Sequence, residues 1–188
     1  MRIIAGEFRG RRLKTLPGRE VRPTSDKLRE TLFNIIRAEV PDSVFIDCYA
    51  GSGAVGLEAL SRGARQVFLI EQDAAAARII EQNIFALGAS LGVGQSAQLI
   101  RAGGVRLSRR LRAKGVRASI CFLDPPYASL PEALSSLHWL SESALMLREG
   151  ILILEHSRKD ATPEQIGEWS RARLLPQGSS ALSFYRRG

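Results

Sequence analysis

The sequence predicts an α/β fold built on one doubly wound, mostly parallel sheet of about seven strands. From residue 44 onward, short apolar runs alternate with stretches of helical spacing, the order that covers both faces of a parallel sheet with helices. A glycine-rich segment directly follows the first of these runs. The length of 188 residues suits a single domain with a substantial core. A composition of 45% hydrophobic and 24% charged residues excludes disordered and collagen-like chains.

The first residues predict a small hairpin. Apolar and polar side chains alternate over residues 1–4 and 11–14, and the turn-forming Gly6 and Gly10 lie between the two segments. We expect residues 1–22 to form a basic extension that packs on the rest of this single-domain chain.

A helix is predicted next. After Pro23, apolar residues recur at helical spacing, which indicates an amphipathic helix over residues 25–39. Thr24 or Ser25 can serve as its N-cap. Pro41 cannot continue the helix, so the helix ends before it.

The alternating region supplies the sheet and its covering helices. Its strands are predicted over residues 44–48, 67–70, 97–100, 119–123 and 151–154. Helices are predicted over residues 54–62, 74–87, 104–114 and 131–147. Two further apolar runs, residues 171–175 and 181–185, are separated by proline and glycine and predict an antiparallel hairpin at one edge of the sheet.

A glycine loop, residues 47–56, follows the first sheet strand. Gly51, Gly53 and Gly56 have the spacing G-x-G-x-x-G, and Glu71 ends the next strand about 20 residues on, where a ribose hydroxyl is bound in dinucleotide sites. Glycines let the backbone approach a ligand, and a carboxylate accepts hydrogen bonds from both ribose hydroxyls. The loop therefore predicts a nucleoside cofactor without identifying it.

Asp47 narrows the choice of cofactor. It lies four residues before Gly51, where a carboxylate can face an ammonium or sulfonium group but would be repelled by a pyrophosphate. The pattern Asp-x-x-x-Gly-x-Gly resembles the S-adenosylmethionine loop of class I methyltransferases, which have a Rossmann-like sheet. The structural alternatives are that Asp47 caps a helix or lies in a surface turn, and that the glycines form only a tight turn.

A second motif, Asp124-Pro125-Pro126-Tyr127, follows a later strand. Two prolines cannot continue a strand, so they fix a rigid turn at the carboxyl edge of the sheet. If the Asp124 carboxylate and the Pro125 carbonyl oxygen each accept one N–H from an exocyclic amine, the nitrogen lone pair can point at a sulfonium methyl. Tyr127 would stack on the base. The structural alternative is a proline-rich loop with a capping aspartate.

Both motifs and their flanking strings are similar to those of the bacterial 16S rRNA guanine-N2 methyltransferases of the RsmD type. The similarity covers residues 2 to about 127, and the spacing continues to the last residue. The flanking strings are RIIAG at 2–6, RGR at 9–11, RPT at 22–24, RETLFN at 29–34 and GSGAVGLEALSRGA at 51–64.

The resemblance implies a cytoplasmic enzyme that moves the methyl group of S-adenosylmethionine to N2 of one guanine in small-subunit rRNA. The ribosomal subunit or a late assembly particle would be its substrate. Asp124, Pro125, Pro126 and Tyr127 would receive the guanine. The cofactor-binding set would be Asp47, Ala50, Gly51, Ser52, Gly53, Glu71, Gln72 and Thr24. One departure is Gly103-Gly104, where the family often has Asn or Asp followed by Ala, so adenine recognition would rest on backbone groups.

The charge distribution favours an anionic partner such as RNA. The formal net charge is +8, with nine basic and four acidic side chains in residues 1–30 and seven basic and no acidic ones in residues 101–117. Residues 106–117 are either a second RNA face or a solvated helix. Phe8 is the only aromatic residue near the predicted hairpin. The predicted RNA-binding side chains are Arg9, Arg11, Arg12, Lys14, Arg22, Lys27 and Arg29.

The cysteines and the apolar runs bear on the cellular compartment and on metal or membrane binding. Cys48 and Cys121 lie in apolar strand segments and suit neither a disulfide framework nor a zinc site. The N-terminus lacks a signal-peptide core, and no run approaches the ~20 apolar residues of a membrane span. We therefore expect a cytoplasmic monomer without a metal or a membrane partner.

Three other functions stay open on these residues. An N6-adenine methyltransferase acting on DNA or RNA would share the Asp124 motif. A nicotinamide-dependent oxidoreductase would share the glycine loop but has no use for that motif. A catalytically silent ribosome-assembly protein would bind RNA without transferring a methyl group.

Overall fold

The structure is a computed structural model that describes residues 1–16, 23–88, 94–102, 111, 114–125 and 130–188. The chain divides into two compact units, Met1–Ala102 and Gly103–Gly188. The first unit contains the helices α1 (Pro23–Ile35), α2 (Ala54–Ser61) and α3 (Ala74–Gly88) and the strands β1 (Val44–Cys48), β2 (Gln66–Ile70) and β3 (Ser96–Ile100). The second contains the helix α4 (Leu130–Glu142) and the strands β4 (Ala118–Leu123), β5 (Met146–Ser157), β6 (Gln165–Ile166), β7 (Trp169–Gln177) and β8 (Ser180–Arg187).

Three parallel strands, in the order β3, β2, β1, form the sheet of the first unit. Val44 lies opposite Gln66, and Gln66 lies opposite Ser96, so the strands start in register. Every residue of β1 is buried, as expected for a strand covered on both faces. Helix α2 packs against β1 and β2, and α3 packs against β3. The elements predicted for this region are confirmed to within one residue at each end.

The N-terminal segment, residues 1–16, folds back on itself. Arg2 and Arg12 form an antiparallel bridge, and the Ile3 N–H donates to the Arg11 carbonyl oxygen at 3.0 Å. The predicted antiparallel pairing is confirmed. It amounts to one bridge rather than two strands because the intervening residues form a succession of turns.

Helix α1 begins at Pro23 and ends at Ile35, whereas the sequence predicted residues 25–39. Proline suits the first turn of a helix because its missing N–H needs no partner there. Thr24 and Ser25 therefore lie inside the helix, and the prediction that one of them is the N-cap is wrong. Beyond α1 the chain tightens into turns that lead to β1.

The second unit combines a parallel pair with an antiparallel series. Strand β5 pairs parallel with β4 and antiparallel with β8, and β8 continues antiparallel to β7 and then to β6. The predicted antiparallel hairpin at the edge is confirmed, and both of its strands are longer than the apolar runs. Strand β6 was not predicted because it has only two residues, too few to show a period.

The boundary between α4 and β5 differs from the prediction. The predicted helix over residues 131–147 ends at Glu142, and β5 begins at Met146. Ser143 closes the helix, since its hydroxyl donates to the Leu140 carbonyl oxygen at 2.9 Å. A serine that bonds the backbone in this way competes with the continuing helix, which explains the early end.

Each unit has its own apolar core. In the first, the Phe33 and Phe45 rings stack with centroids 6.2 Å apart. In the second, the buried Trp169 and Tyr185 keep their polar atoms bonded. The indole N–H of Trp169 donates to the Ser141 carbonyl oxygen at 3.0 Å, and the Tyr185 hydroxyl donates to a backbone carbonyl at 2.9 Å. Over the described residues, no helix has both the length and the apolar character needed to cross a membrane.

Candidate functional site

The glycine loop has an unusual backbone. Tyr49, Gly51 and Gly53 all have positive φ, at 62°, 57° and 79°. This backbone conformation is costly for residues other than glycine. The Ala50 N–H donates to the Ile70 carbonyl oxygen at 2.9 Å. The loop is thus a defined turn fixed to the end of β2. Among the described residues, no atom lies within 4 Å of the position that a Cβ on Gly51 would take.

Gly56, the third glycine, has a packing reason for its identity. A Cβ there would lie 2.8 Å from Leu69 Cδ2 and 2.9 Å from Val67 Cγ1. Such distances are shorter than real Cβ contacts, so α2 can approach β2 this closely only with glycine at this position.

Asp47 lies beneath the loop and is only 2% exposed. Its Oδ2 accepts the Gly56 N–H at 2.8 Å. Gly53 is the N-cap residue of α2 and offers no side chain for capping, so the Asp47 carboxylate satisfies one of the free N–H groups of the first turn. This is the helix-capping alternative considered for Asp47 from the sequence. The surface-turn alternative is excluded by its burial.

Glu71 holds the loop from the other strand. Its Oε2 accepts the Gly51 N–H at 2.8 Å, and its Oε1 accepts the Asp73 N–H at 2.8 Å. A carboxylate has about four lone-pair sites, so two backbone bonds leave capacity for hydroxyl donors. Gln72, the next residue, is exposed. The structure therefore brings together Asp47, the glycines and Glu71, which the sequence analysis assigned to one site.

Asn83 was not predicted as part of this site. It lies on α3 at 2% exposure, and its Nδ2 donates to the Ser52 carbonyl oxygen at 2.9 Å and to the Lys14 carbonyl oxygen at 3.1 Å. Its Oδ1 accepts the Lys14 N–H at 2.9 Å. The clue in the sequence is an asparagine on the apolar face of α3, three residues after the buried Ile80.

Glu58 is a second residue that the sequence analysis missed. It is fully buried on α2 and accepts the N–H groups of Ile4 and Ala5 at 2.7 and 3.0 Å. Arg62 Nε donates to it at 2.8 Å, and Arg29 Nε lies 3.7 Å away. One carboxylate therefore fixes the N-terminal segment to the helix that follows the glycine loop.

The structure contradicts the prediction that Arg29 binds RNA. Its side chain is 3% exposed, and its Nη2 donates to the Arg2 carbonyl oxygen at 2.7 Å and to Asp26 at 3.1 Å. Burial lowers the pKa of Arg29, while Asp26 and Glu58 oppose that shift. Because its guanidinium is held inside the fold, Arg29 cannot reach a phosphate of the RNA.

Most of the other predicted RNA-binding side chains lie on the surface. Arg11 Nη1 donates to the Ala86 carbonyl oxygen at 3.3 Å, and its guanidinium carbon lies 5.8 Å from the ring centroid of Phe8. Phe8 itself is 1% exposed and cannot stack on a base. The exposed members of the predicted set are Arg9, Arg11, Arg12, Lys14 and Lys27.

The second motif begins where β4 ends in the second unit. Asp124 is exposed directly after the buried Leu123, and Pro125 is buried. Cys121, earlier in β4, is a buried free thiol. The motif thus starts with an exposed carboxylate at the carboxyl end of a parallel strand, as predicted. Pro126 and Tyr127 lie outside the described residues.

Several other predictions fall partly or wholly outside the described residues. These are the side chain of Thr24, Arg22, Gly103-Gly104, most of the predicted helix over 104–114, and the first part of the basic segment 106–117. Among the residues that the structure does describe, no group of three or more His, Cys, Asp or Glu could hold a metal ion.

Known proteins resemble this chain over its whole length. The family model described as "Conserved hypothetical protein 95" matches residues 1–186. Ribosomal RNA small subunit methyltransferase D of Escherichia coli (strain K12) is 35% identical over 188 residues, which is 100% of this chain and 90% of that protein. The protein of the same name from Haemophilus influenzae is 34% identical, over 99% of this chain and 92% of its own length.

Solved structures of other proteins have a similar fold. The structure of yhhF from Escherichia coli has a TM-score of 0.83 and 32% identity and covers 100% of this chain and 97% of its own. The structure of a hypothetical protein from Thermus thermophilus has a TM-score of 0.80 and 30% identity, with 99% of both chains covered.

Proposed function

The chain belongs to the ribosomal RNA small subunit methyltransferase D family, and from that premise we propose that it methylates the exocyclic N2 amine of one guanine in 16S rRNA with S-adenosylmethionine. It is an rRNA methyltransferase with the Rossmann-like fold of that enzyme class. The observation that carries the proposal is the glycine loop held between two carboxylates, Asp47 and Glu71, in a chain that matches the family from end to end.

The residues around the glycine loop fit a nucleoside cofactor with a cationic group. Glu71 keeps acceptor capacity for the ribose hydroxyls beyond its bonds to Gly51 and Asp73. Asp47 supplies negative charge beneath the loop, which favours a sulfonium over a pyrophosphate. The proposed set also includes Ala50, Ser52, Gly53, Gln72 and Thr24.

Asp124, Pro125, Pro126 and Tyr127 are proposed to receive the guanine. The Asp124 carboxylate and the Pro125 carbonyl oxygen accept one N–H each from N2, so that the nitrogen lone pair is directed out of the conjugated ring. Tyr127 stacks on the base and holds it in line. When bound, S-adenosylmethionine supplies an activated methyl group on a sulfonium. Catalysis by the chain itself is then orientation and electrostatics.

The N-terminal segment is proposed to hold the RNA. Its exposed basic side chains neutralise phosphates and release counterions, which gives affinity with little sequence information. Because N2 of a paired guanine is engaged in pairing, the target must be unpaired or swung out of its stack. We further propose that residues 1–188 act as one methyltransferase domain, as a cytoplasmic monomer.

The proposal is tested with labelled S-adenosylmethionine and small ribosomal subunits that lack the modification. We expect label in 16S rRNA, recovered on nucleoside analysis as N2-methylguanosine. Asp124→Ala removes the acceptor for one N–H and should reduce turnover by about 100-fold or more, while cofactor affinity stays unchanged. Glu149→Gln, at another exposed carboxylate of the second unit, is the control and should keep full activity.

Three results would contradict this function. Recovery of N6-methyladenosine would assign the chain to adenine methylation instead. Full activity of Asp124→Ala would remove the proposed role of the second motif. RNA binding without methyl transfer would indicate an assembly protein that lacks the activity.

A further inference from the structure

Ser52 is the residue of the glycine loop that contacts the surroundings of the N-terminal segment. It lies between Gly51 and Gly53, whose backbones are less restricted than those of other residues. Two hydrogen bonds restrain it. Its carbonyl oxygen accepts the Nδ2 N–H of Asn83 at 2.9 Å, and its hydroxyl donates to the sulfur of Met1 at 3.6 Å. Met1 belongs to the N-terminal segment, so the position of the segment bears directly on the loop.

Asn83 also bonds the N-terminal segment. Its Oδ1 accepts the Lys14 N–H at 2.9 Å, and its Nδ2 donates to the Lys14 carbonyl oxygen at 3.1 Å as well as to Ser52. Because Asn83 is buried, a group that loses one of these bonds is left unsatisfied, which is costly. A single side chain therefore ties the backbone of Lys14 to the backbone of Ser52.

The charge of Lys14 is the point at which RNA acts on this connection. The residue is exposed, and a bound phosphate that its ammonium group neutralises restrains it. The bonds of Asn83 carry that restraint to Ser52. The glycine loop then has less conformational freedom to lose when it binds a cofactor, and such a coupling acts equally on both ligands.

We propose that Asn83 couples the two binding sites. RNA held by the N-terminal segment raises the affinity of the glycine loop for S-adenosylmethionine, and the cofactor raises the affinity for RNA. This inference rests on the proposed function, because it takes RNA and S-adenosylmethionine as the ligands. Asn83 is a positioning residue, since it acts through Lys14 and Ser52. The coupling favours the complex that holds both substrates over a complex with either one.

Equilibrium dialysis of labelled S-adenosylhomocysteine measures the coupling. This analogue lacks the transferable methyl group, so no reaction disturbs the equilibrium. With the full wild-type chain, saturating protein-free 16S rRNA should raise the affinity for the analogue by about 5-fold or more. Saturating analogue should raise the affinity for the rRNA, measured by filter binding, by the same factor.

Asn83→Ala separates coupling from ordinary structural support. If Asn83 only stabilised the loop, the variant would lose the same factor of analogue affinity with and without rRNA, and the ratio of the two affinities would keep its wild-type value. We expect this coupling ratio to fall to about one. Hydrogen exchange gives a second readout, because rRNA should slow exchange of the Gly51 and Gly53 amides in the wild type but not in the variant.

A matched pair of surface variants makes the test independent of the stability of Asn83→Ala. Lys14→Ala and Arg9→Ala each remove one exposed positive charge of the N-terminal segment, and each should reduce the slope of log rRNA affinity against log salt by about one. Lys14 is bonded to Asn83, whereas the Arg9 N–H donates to the Gly6 carbonyl oxygen at 3.2 Å. Lys14→Ala should therefore lower the coupling ratio, and Arg9→Ala should keep it.

Three results would overturn the inference. The first is a wild-type chain whose affinity for the analogue is unchanged or lowered by rRNA. The second is a wild-type coupling ratio in Asn83→Ala, and the third is an equal ratio in Lys14→Ala and Arg9→Ala. Methyl transfer to small subunits without coupling would leave the proposed function standing while this inference fails. Coupling without methyl transfer would support the inference and overturn the function.

Discussion

The side-chain amide of Asn83 donates a 2.9 Å hydrogen bond to the backbone carbonyl of Ser52. The same side chain bonds the N–H and the carbonyl oxygen of Lys14. One buried amide thus joins the glycine loop to the N-terminal segment, two parts of the sequence that are 38 residues apart at these bonds. The proposed cofactor loop and the proposed RNA-holding segment therefore share a structural support.

Replacing this amide tests that relationship. Asn83→Ala leaves the backbone groups of Lys14 and Ser52 without their partner and should lower the free energy of unfolding by about 1–3 kcal/mol. The affinity for S-adenosylmethionine should fall as well, because the Ser52 carbonyl loses its anchor. Urea denaturation and calorimetric titration measure the two effects. Asn34→Ala, at an exposed asparagine of α1, should change stability by less than about 0.5 kcal/mol.

The buried carboxylate of Glu58 should be more costly to remove. Glu58→Ala removes one of the two carboxylates beside the buried guanidinium of Arg29 and takes a partner from Arg62. It also leaves the N–H groups of Ile4 and Ala5 without their acceptor, so it should cost about 3–5 kcal/mol of unfolding free energy. The matched control is Glu142→Gln. Its partner His138 lies 3.2 Å away, but both side chains are more than half exposed, so the change should stay within about 0.5 kcal/mol. Equal effects of the two variants would contradict the role given to Glu58.

Gly56→Ala should destabilise the chain by overpacking. The new Cβ would lie 2.8 Å from Leu69 and 2.9 Å from Val67, and relieving such contacts costs about 1–3 kcal/mol. Gly88→Ala is the control, because a Cβ at that helix position meets no atom of the described part of the chain within 4 Å. Thermal denaturation should therefore show a lower Tm for the first variant and an equal or slightly higher Tm for the second.

His156 should make the second unit less stable in acid. Burial lowers the pKa of His156 from its ordinary value of 6.5, outweighing the opposing effect of its bond to the Ser157 carbonyl. Because that carbonyl can only accept, Nδ1 carries the proton, and Nε2 accepts from the Ser183 hydroxyl at 2.9 Å. Protonating Nε2 would turn this acceptor into a donor.

The direction of the pH effect follows from that pKa. Folding lowers it, so the unfolded chain binds the proton more readily and the neutral ring contributes its full stability above about pH 6.5. The contribution is lost as the pH falls from there through the folded-state pKa. Unfolding free energies of His156→Gln should therefore depend less on pH between 7 and 5 than those of the wild type. His138→Gln, at an exposed histidine, should follow the wild-type profile.

Much of the framework could be predicted from the sequence because burial leaves a periodic pattern. The strands of the first unit are short, mainly apolar runs, and their predicted limits agree with the structure to within one residue. The glycine loop was found through its spacing, because a tight turn, a close helix and a nearby carboxylate each demand a particular residue type. Each of these requirements fixes a residue type at a set spacing along the chain, so it can be seen in the sequence.

What could not be predicted depends on contacts between distant segments. Arg29 was assigned to the RNA surface because charge counts do not distinguish an exposed guanidinium from one enclosed by Asp26 and Glu58. In the sequence, Glu58 and Asn83 look like ordinary helix residues. Glu58 bonds residues of the N-terminal segment that are 53 or more positions away, and Asn83 bonds Lys14, which is 69 positions away.

Gly6 shows that the basic N-terminal segment is fitted closely to helix α2. A Cβ at this position would overlap the Ser61 carbonyl oxygen, and the Ser61 hydroxyl and carbonyl both bond the backbone of the segment. The segment therefore fits only against an α2 that presents this serine. Grafting it onto another scaffold would require transplanting the helix with it, and a change in either one in a natural lineage would have to be matched by the other.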